Sequence, residues 1–102
     1  MAADLDITPF DAADYLGSAE AQAAFLNDAM ASGHAATIAN AIGAVARAQS
    51  RANGMGDLAR ATGIKRQTLA KSLGPKGNPT IETVLPVLNA LGMRIKVEPA
   101  RA

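Results

Sequence analysis

A chain of 102 residues fits one domain and leaves no room for two substantial cores. Alanine fills 24 positions against 19 for Leu, Ile and Val together, and Phe10, Tyr15 and Phe25 are the whole aromatic complement, so a thin core is expected and a partner or second copy is a plausible source of extra burial. With 19% charged residues and a mean hydropathy of +0.09, intrinsic disorder is excluded. The lack of cysteine excludes a disulfide scaffold, a thiol nucleophile and Cys-built zinc sites, and no apolar run approaches the ~18 residues of a membrane span. No signal-peptide pattern is seen, and a cytoplasmic location off the membrane is the expectation.

In chain order, Asp4-Leu5-Asp6-Ile7-Thr8 alternates polar and apolar until Pro9, as a short extended segment or a loose terminus would. Ser18 then caps a predicted helix over about 18–32, with Phe25, Leu26 and Met30 at helical spacing and Gly33 as its stop. A second helix is predicted over about 35–50, with a one-sided stripe of Ile38, Ile42, Val45 and Ala46 and with Arg47 and Arg51 near its end. Two short helices follow, over 56–62 and 65–73, separated by Gly63. Gly74-Pro75-Lys76-Gly77-Asn78-Pro79 reads as a loop, with Asn78 as N-cap and Pro79 at the first position of the next helix. Ile81, Val84, Leu85, Leu88 and Leu91 form the buried face expected there; Pro86 interrupts it and Gly92 stops it. Met93-Arg94-Ile95-Lys96-Val97-Glu98 alternates at period two and reads as a strand. A lone strand cannot satisfy its own backbone, so its partner is residues 4–8, the same strand of another subunit, or a different protein. The fold class is therefore all-α: a five- to six-helix bundle with a short C-terminal β-strand that pairs with another segment or subunit.

The charge is unevenly laid out. Residues 1–34 carry six acids and no Lys or Arg; residues 35–102 carry ten bases and three acids. The division is into an acidic N-terminal segment and helix over 1–34 and a basic part over 35–102, together one compact domain, with the basic part suited to a polyanion.

Residues 55–74 have the layout of a helix-turn-helix. Ala59 is small where the helices cross, Gly63 permits the left-handed backbone of a tight turn, and Leu58, Ile64, Leu69 and Leu73 supply the apolar contacts. The second helix then presents Lys65, Arg66, Gln67 and Lys71. Arg and Gln can contact base edges bidentately, whereas Lys71, Lys76 and Arg60 suit backbone phosphate. Lys65 stands at an N-cap, where Ser, Thr, Asp or Asn would be worth ~1 kcal/mol and where a cation opposes the helix dipole. A residue that harms its own helix but suits a phosphate points to function.

The chain resembles the HigA-like antidote proteins of bacterial type II toxin–antitoxin modules, which carry a phage-repressor (Cro/CI-like) helix-turn-helix. The resemblance rests on residues 10–16, on the run Ala41-Ile42-Gly43-Ala44-Val45-Ala46-Arg47-Ala48, on Gly54-Met55, and on Gly77-Asn78-Pro79-Thr80, Thr83-Val84-Leu85 and Ala90-Leu91-Gly92. It implies an all-α DNA-binding fold, dimerisation, repression of its own operon and neutralisation of a RelE/HigB-like mRNA-cleaving toxin. The sequence departs from that pattern at Lys65, at Ala70, at residues 49–53 and at Pro86.

On this reading Arg66 and Gln67 are base readers. Thr68 touches phosphate or faces solvent, and Asn78 is a cap first and a phosphate contact second. Arg47 and Arg51 are a solvated helix end, and His34 is a turn residue. Asp11, Asp14 and Asp28 are candidate contacts to a basic toxin. Leu88, Leu91, Met93, Ile95 and Val97 are candidate dimer contacts, and two copies would set their recognition helices ~34 Å apart on a near-palindromic operator. No metal site, cofactor or enzymatic activity is expected, since no nucleophile–base–orienter set can be drawn from these residues. The alternative is a free-standing phage-like repressor with no toxin partner, which residues 55–74 would serve equally well.

Overall fold

The structure, a computed structural model, describes residues 11–50 and 53–100. Residues 4–8 and Arg51 lie outside the described residues. Among those described, a single 3-10 turn (Ala12–Tyr15) is followed by α1 (Ala19–Ser32), α2 (Ala35–Gln49), α3 (Gly54–Thr62), α4 (Arg66–Ser72) and α5 (Ile81–Ala90). Local chemistry accounts for the first boundaries. The Asp11 carboxylate accepts the Ala13 N–H at 3.0 Å to open the 3-10 turn. Ser18, with extended backbone, accepts the Ala21 N–H at 3.1 Å and opens α1, and Gly33 closes it at φ 72°.

The second helix is more deeply enclosed than a one-sided stripe. Every residue from Ala41 to Ala46 is buried, as is Ala39, while Ile38 is only half-buried. A helix apolar all round is an interior helix. α1 and the 3-10 turn pack on it from one side and α3 from another. Alanine and glycine allow this, because their short side chains let a neighbouring backbone approach from any direction. At Gly54, the first residue of α3, a Cβ would stand 3.1 Å from the Ala46 carbonyl oxygen. Ile42 and Val45, with Leu69 of α4 and Val87 of α5, are the largest fully buried side chains. Each contributes about 1.5–3 kcal/mol by leaving water. Leu16, Leu26 and Ala29 join Leu58, Leu73, Val84, Leu88 and Leu91 in the same cluster, so the acidic first part and the basic remainder share one core.

α5 differs from expectation in two ways. The chain stays extended through Thr80 (φ −81°, ψ 165°), whose carbonyl accepts the Thr83 and Val84 N–H groups, so the helix begins at Ile81 and Asn78 and Pro79 precede it. Its buried face is Val84, Val87, Leu88 and Leu91; Ile81 and Leu85 are 66% and 50% exposed. Leu85 lies about 100° round the helix from Val84, outside the covered arc. The end is a Schellman motif: Met93 N–H bonds the Leu88 carbonyl at 2.9 Å and Gly92 N–H the Asn89 carbonyl at 3.0 Å, with Gly92 at φ 77°. Met93 then folds back onto the core.

The expected strand over 93–98 does not form among the described residues. Alternation supplies a face, but a strand is defined by a neighbouring backbone. Of the partners considered, residues 4–8 lie outside the described part and a second chain is not present. Leu88 and Leu91, expected at a dimer contact, are 3% and 7% exposed and belong to this chain's own core; Ile95 and Val97 are exposed.

One buried polar side chain ties the bundle together. Gln22 of α1 is 7% exposed; its Nε2 donates to the Leu16 carbonyl at 3.0 Å, and its Oε1 accepts from Gln49 Nε2 at 3.0 Å. Gln49 Nε2 also donates to the Leu91 carbonyl at 2.8 Å. Two amides thus serve the carbonyls that close the 3-10 turn and α5, and join α1, α2 and α5. Gln22→Ala strands the Leu16 carbonyl and should cost about 1–3 kcal/mol. Urea denaturation of Gln22→Ala, Gln49→Ala and the double variant should give a coupling above ~0.5 kcal/mol; strictly additive losses would mean that the two amides act separately.

Candidate functional site

The α3–α4 pair is joined by the three residues Gly63, Ile64 and Lys65. Gly63 sits at φ 77°, a left-handed conformation that costs a residue with a Cβ about 1–2 kcal/mol. Its N–H closes α3 on the Ala59 carbonyl at 2.9 Å. Thr62 reinforces the corner: its hydroxyl donates to the Leu58 carbonyl at 2.8 Å and accepts the Ile64 N–H at 3.2 Å. Lys65 then stands at the N-cap of α4 with no side-chain capping bond, the position its place in the sequence indicated.

α4 is held from beneath and open above. Leu69 is wholly buried and Leu73 is 6% exposed, while Lys65, Arg66, Gln67, Thr68, Ala70 and Lys71 are all exposed. At about 100° per residue, Gln67 and Lys71 lie some 160–200° round the helix from Leu69 and point straight out. Arg66 and Thr68 flank them on opposite sides. Lys76 and Asn78 are exposed on the loop that follows. Gly77 folds that loop under the end of α4: it is buried, its N–H bonds the Gly74 carbonyl at 2.9 Å, and a Cβ there would overlap the Ser72 carbonyl oxygen.

Arg60 is exposed, but it forms an ion pair with Asp57 one turn earlier on α3, and Asp57 also accepts the Ser50 hydroxyl. Its charge is therefore partly spent within the chain.

The acidic side is built differently. Asp11 pairs with Arg47 at 3.0 Å, so Arg47, exposed in the last turn of α2, is also tied to the residue that opens the 3-10 turn. Asp14 and Asp28 are exposed, on the 3-10 turn and on α1. Asp11, Asp28 and Arg47 border a cleft of about 570 Å³ between the 3-10 turn, α1 and α2, floored by Phe25, Ala29, Ala41 and Ala44 and edged by Thr37 and Asn40. Thr37 and Asn40 were not among the sequence candidates. Their signal was faint: two polar residues three apart on a helix otherwise rich in alanine. His34 holds the N-cap of α2 with no side-chain bond, as a turn residue.

Residues 6–99 match a protein family described as "Probable addiction module antidote protein". The chain belongs to that family. A curated relative from Haemophilus influenzae (strain Rd), described as an uncharacterized protein, is 37% identical over 92 residues, 90% of this chain and 91% of that one. No solved structure matches. An addiction-module antidote acts against a toxin, so a toxin partner of some kind follows from the family. No helix among the described residues of this antidote chain is long and apolar enough to cross a membrane.

Two glycines should control how the antidote presents α4. Gly63→Ala should lower stability by about 1–2 kcal/mol through backbone strain. Gly77→Ala meets a backbone oxygen and should displace the 74–79 loop, with a larger loss. Thermal melts would check both; an unchanged melting temperature for Gly77→Ala would mean that the loop has room to move.

Proposed function

We propose that this antidote is a cytoplasmic, non-enzymatic, DNA-binding antitoxin whose α3–turn–α4 unit works as a helix-turn-helix of the phage-repressor kind, and that it represses its own operon as a dimer. The observation that carries the reading is the state of α4: anchored by Leu69 and Leu73 alone, with every long polar side chain of its first turns free to enter a groove. A helix so mounted fits the major groove. Gln67, opposite the anchor, and Arg66 beside it read base edges. Lys71 and Lys76 take phosphates, Lys65 and Thr68 approach the backbone at the start of α4, and Asn78 lies at the margin. The toxin is proposed to be a basic RelE/HigB-like ribonuclease, because the 3-10 turn and α1 carry Asp11, Asp14 and Asp28 away from α4 in the chain.

The Asp57 ion pair ranks the cations. Leaving it costs Arg60 an interaction that Lys76 does not have to give up, so Arg60 is the weaker phosphate ligand. Binding to the chain's own promoter fragment and to scrambled DNA, measured across salt concentrations, tests the assignment. Gln67→Ala should cost about 1–3 kcal/mol on the promoter and relax choice at one base position. Lys76→Ala should weaken binding to both DNAs alike and lower the salt slope by about one. Arg60→Ala should do markedly less than Lys76→Ala. If Gln67→Ala and Lys76→Ala both bind as the parent does, α4 is not the reading helix.

A further inference from the structure

The acidic residues near the N-terminus are too scattered to define a docking site, but the cleft they border is a defined shape. Its floor is apolar with one aromatic ring, its volume of about 570 Å³ is in the range of small-ligand pockets, and its rim carries the carboxylates of Asp11 and Asp28 and the guanidinium of Arg47. Arg47 and Asp11 engage each other at 3.0 Å. Asp28 is exposed, and no hydrogen bond or ion pair joins it to another described residue. Thr37 and Asn40 add a hydroxyl and an amide across from it on α2. A flat cation with an aliphatic stem matches each part: the stem on the alanine floor, the plane over the Phe25 ring, and the fork on the Asp28 carboxylate.

We infer that this cleft is the seat for an arginine side chain of the partner toxin. The inference rests on the antitoxin reading and deepens it by assigning the place where the partner is held. The charge of the region agrees, since the first 34 residues carry six acids and no Lys or Arg. So does its position. Thr37 and Ala44 lie about 160–180° round α2 from Ala46, the residue against which α3 begins, so a partner seated here leaves α3 and α4 uncovered.

The experiment has two arms on the full chain. In the first, amide NMR spectra are recorded during titration with N-acetyl-arginine amide and, separately, with N-acetyl-norleucine amide. Saturable shifts at Phe25, Asp28, Thr37 and Asn40 with the arginine compound alone are expected. No shifts there, shifts as large at Glu20 as at Asp28, or the same shifts on raising the protein concentration alone would overturn the assignment, the last by giving the cleft to a second copy. In the second arm, affinity is measured for the protein encoded by the adjacent reading frame. Asp28→Lys, and Thr37→Trp to fill the cleft from its rim, should weaken it at least 100-fold with unchanged melting temperature and promoter binding. Glu20→Lys, the same charge change on α1 away from the cleft, should alter it less than threefold. Equal losses for Asp28→Lys and Glu20→Lys, or none for Thr37→Trp, would refute the cleft as the seat. An unmodified chain that takes arginine in the first arm but does not bind the neighbouring protein would instead sink the antitoxin reading and the toxin as the source of the arginine.

Discussion

The structure depends on the middle of α2, Ala41 to Ala46, being buried in every direction. A helix can be packed all round only if its neighbours come close on each face, and the run Ala41 to Ala46 meets that demand with three alanines, one glycine, Ile42 and Val45. The two branched residues fill the interior and the small ones admit backbone. The result is a narrow central rod with α1 and the 3-10 turn on one side and α3 on another. Alanine contributes little hydrophobic free energy per residue. What it supplies here is proximity: it lets the larger side chains of α1, α3, α4 and α5 meet around a thin centre. The thin core implied by composition and the central helix of the fold are one fact seen at two levels.

Two corners repeat one device. At the end of α1, Ser32 donates to the Ala29 carbonyl at 2.6 Å, Gly33 turns left-handed, and His34 N–H bonds the Ser32 hydroxyl at 3.2 Å. At the end of α3, Thr62, Gly63 and Ile64 do the same. In each, a hydroxyl on the last helical residue bonds back to a carbonyl of its own helix and accepts an N–H of the next segment, and the glycine absorbs the change of direction. Neither following helix has a capping side chain, His34 and Lys65 being poor caps. The hydroxyl at the previous helix end does part of the ordering that an N-cap would otherwise do. This lets Lys65 stand at the head of α4 without the corner losing its shape.

How much was legible in the sequence follows the range of the interaction. Ser18, Gly33 and Gly63 act on residues within four positions of themselves, and their helix ends fell where the sequence placed them. The outward face of α4 was legible for the same reason: two leucines four apart leave only one side for Gln67 and Lys71. Long-range features were not. Period-two alternation over 93–98 says which side chains would share a face but nothing about a neighbouring backbone. Ile81 and Leu85 obey helical spacing, yet the covered arc is set by where α3 crosses, and that arc centres on Val84 and Val87–Leu88. Gln22 gave no signal, since a glutamine among alanines looks like surface until Leu16 and Gln49 are brought to it.

The placement of charge has a structural cause. A small bundle around one thin rod has little interior to separate opposite charges, and the screening length at physiological salt is only ~8 Å. Asp11 and Arg47 neutralise each other where the 3-10 turn meets the end of α2, and Asp57 partly neutralises Arg60 on the exposed surface of α3. Among the charges left unpaired in the described structure, Asp28 borders the cleft, and Lys71 and Lys76 are exposed on α4 and on the loop after it. The internal ion pairs therefore sharpen two faces of opposite sign by cancelling the charges between them. A chain with a net charge of only +1 thereby carries exposed acids on its first elements and exposed bases on α4 and the loop after it. α2 links the two regions: Ala41 and Ala44 line the cleft, and Ala46 meets the start of α3.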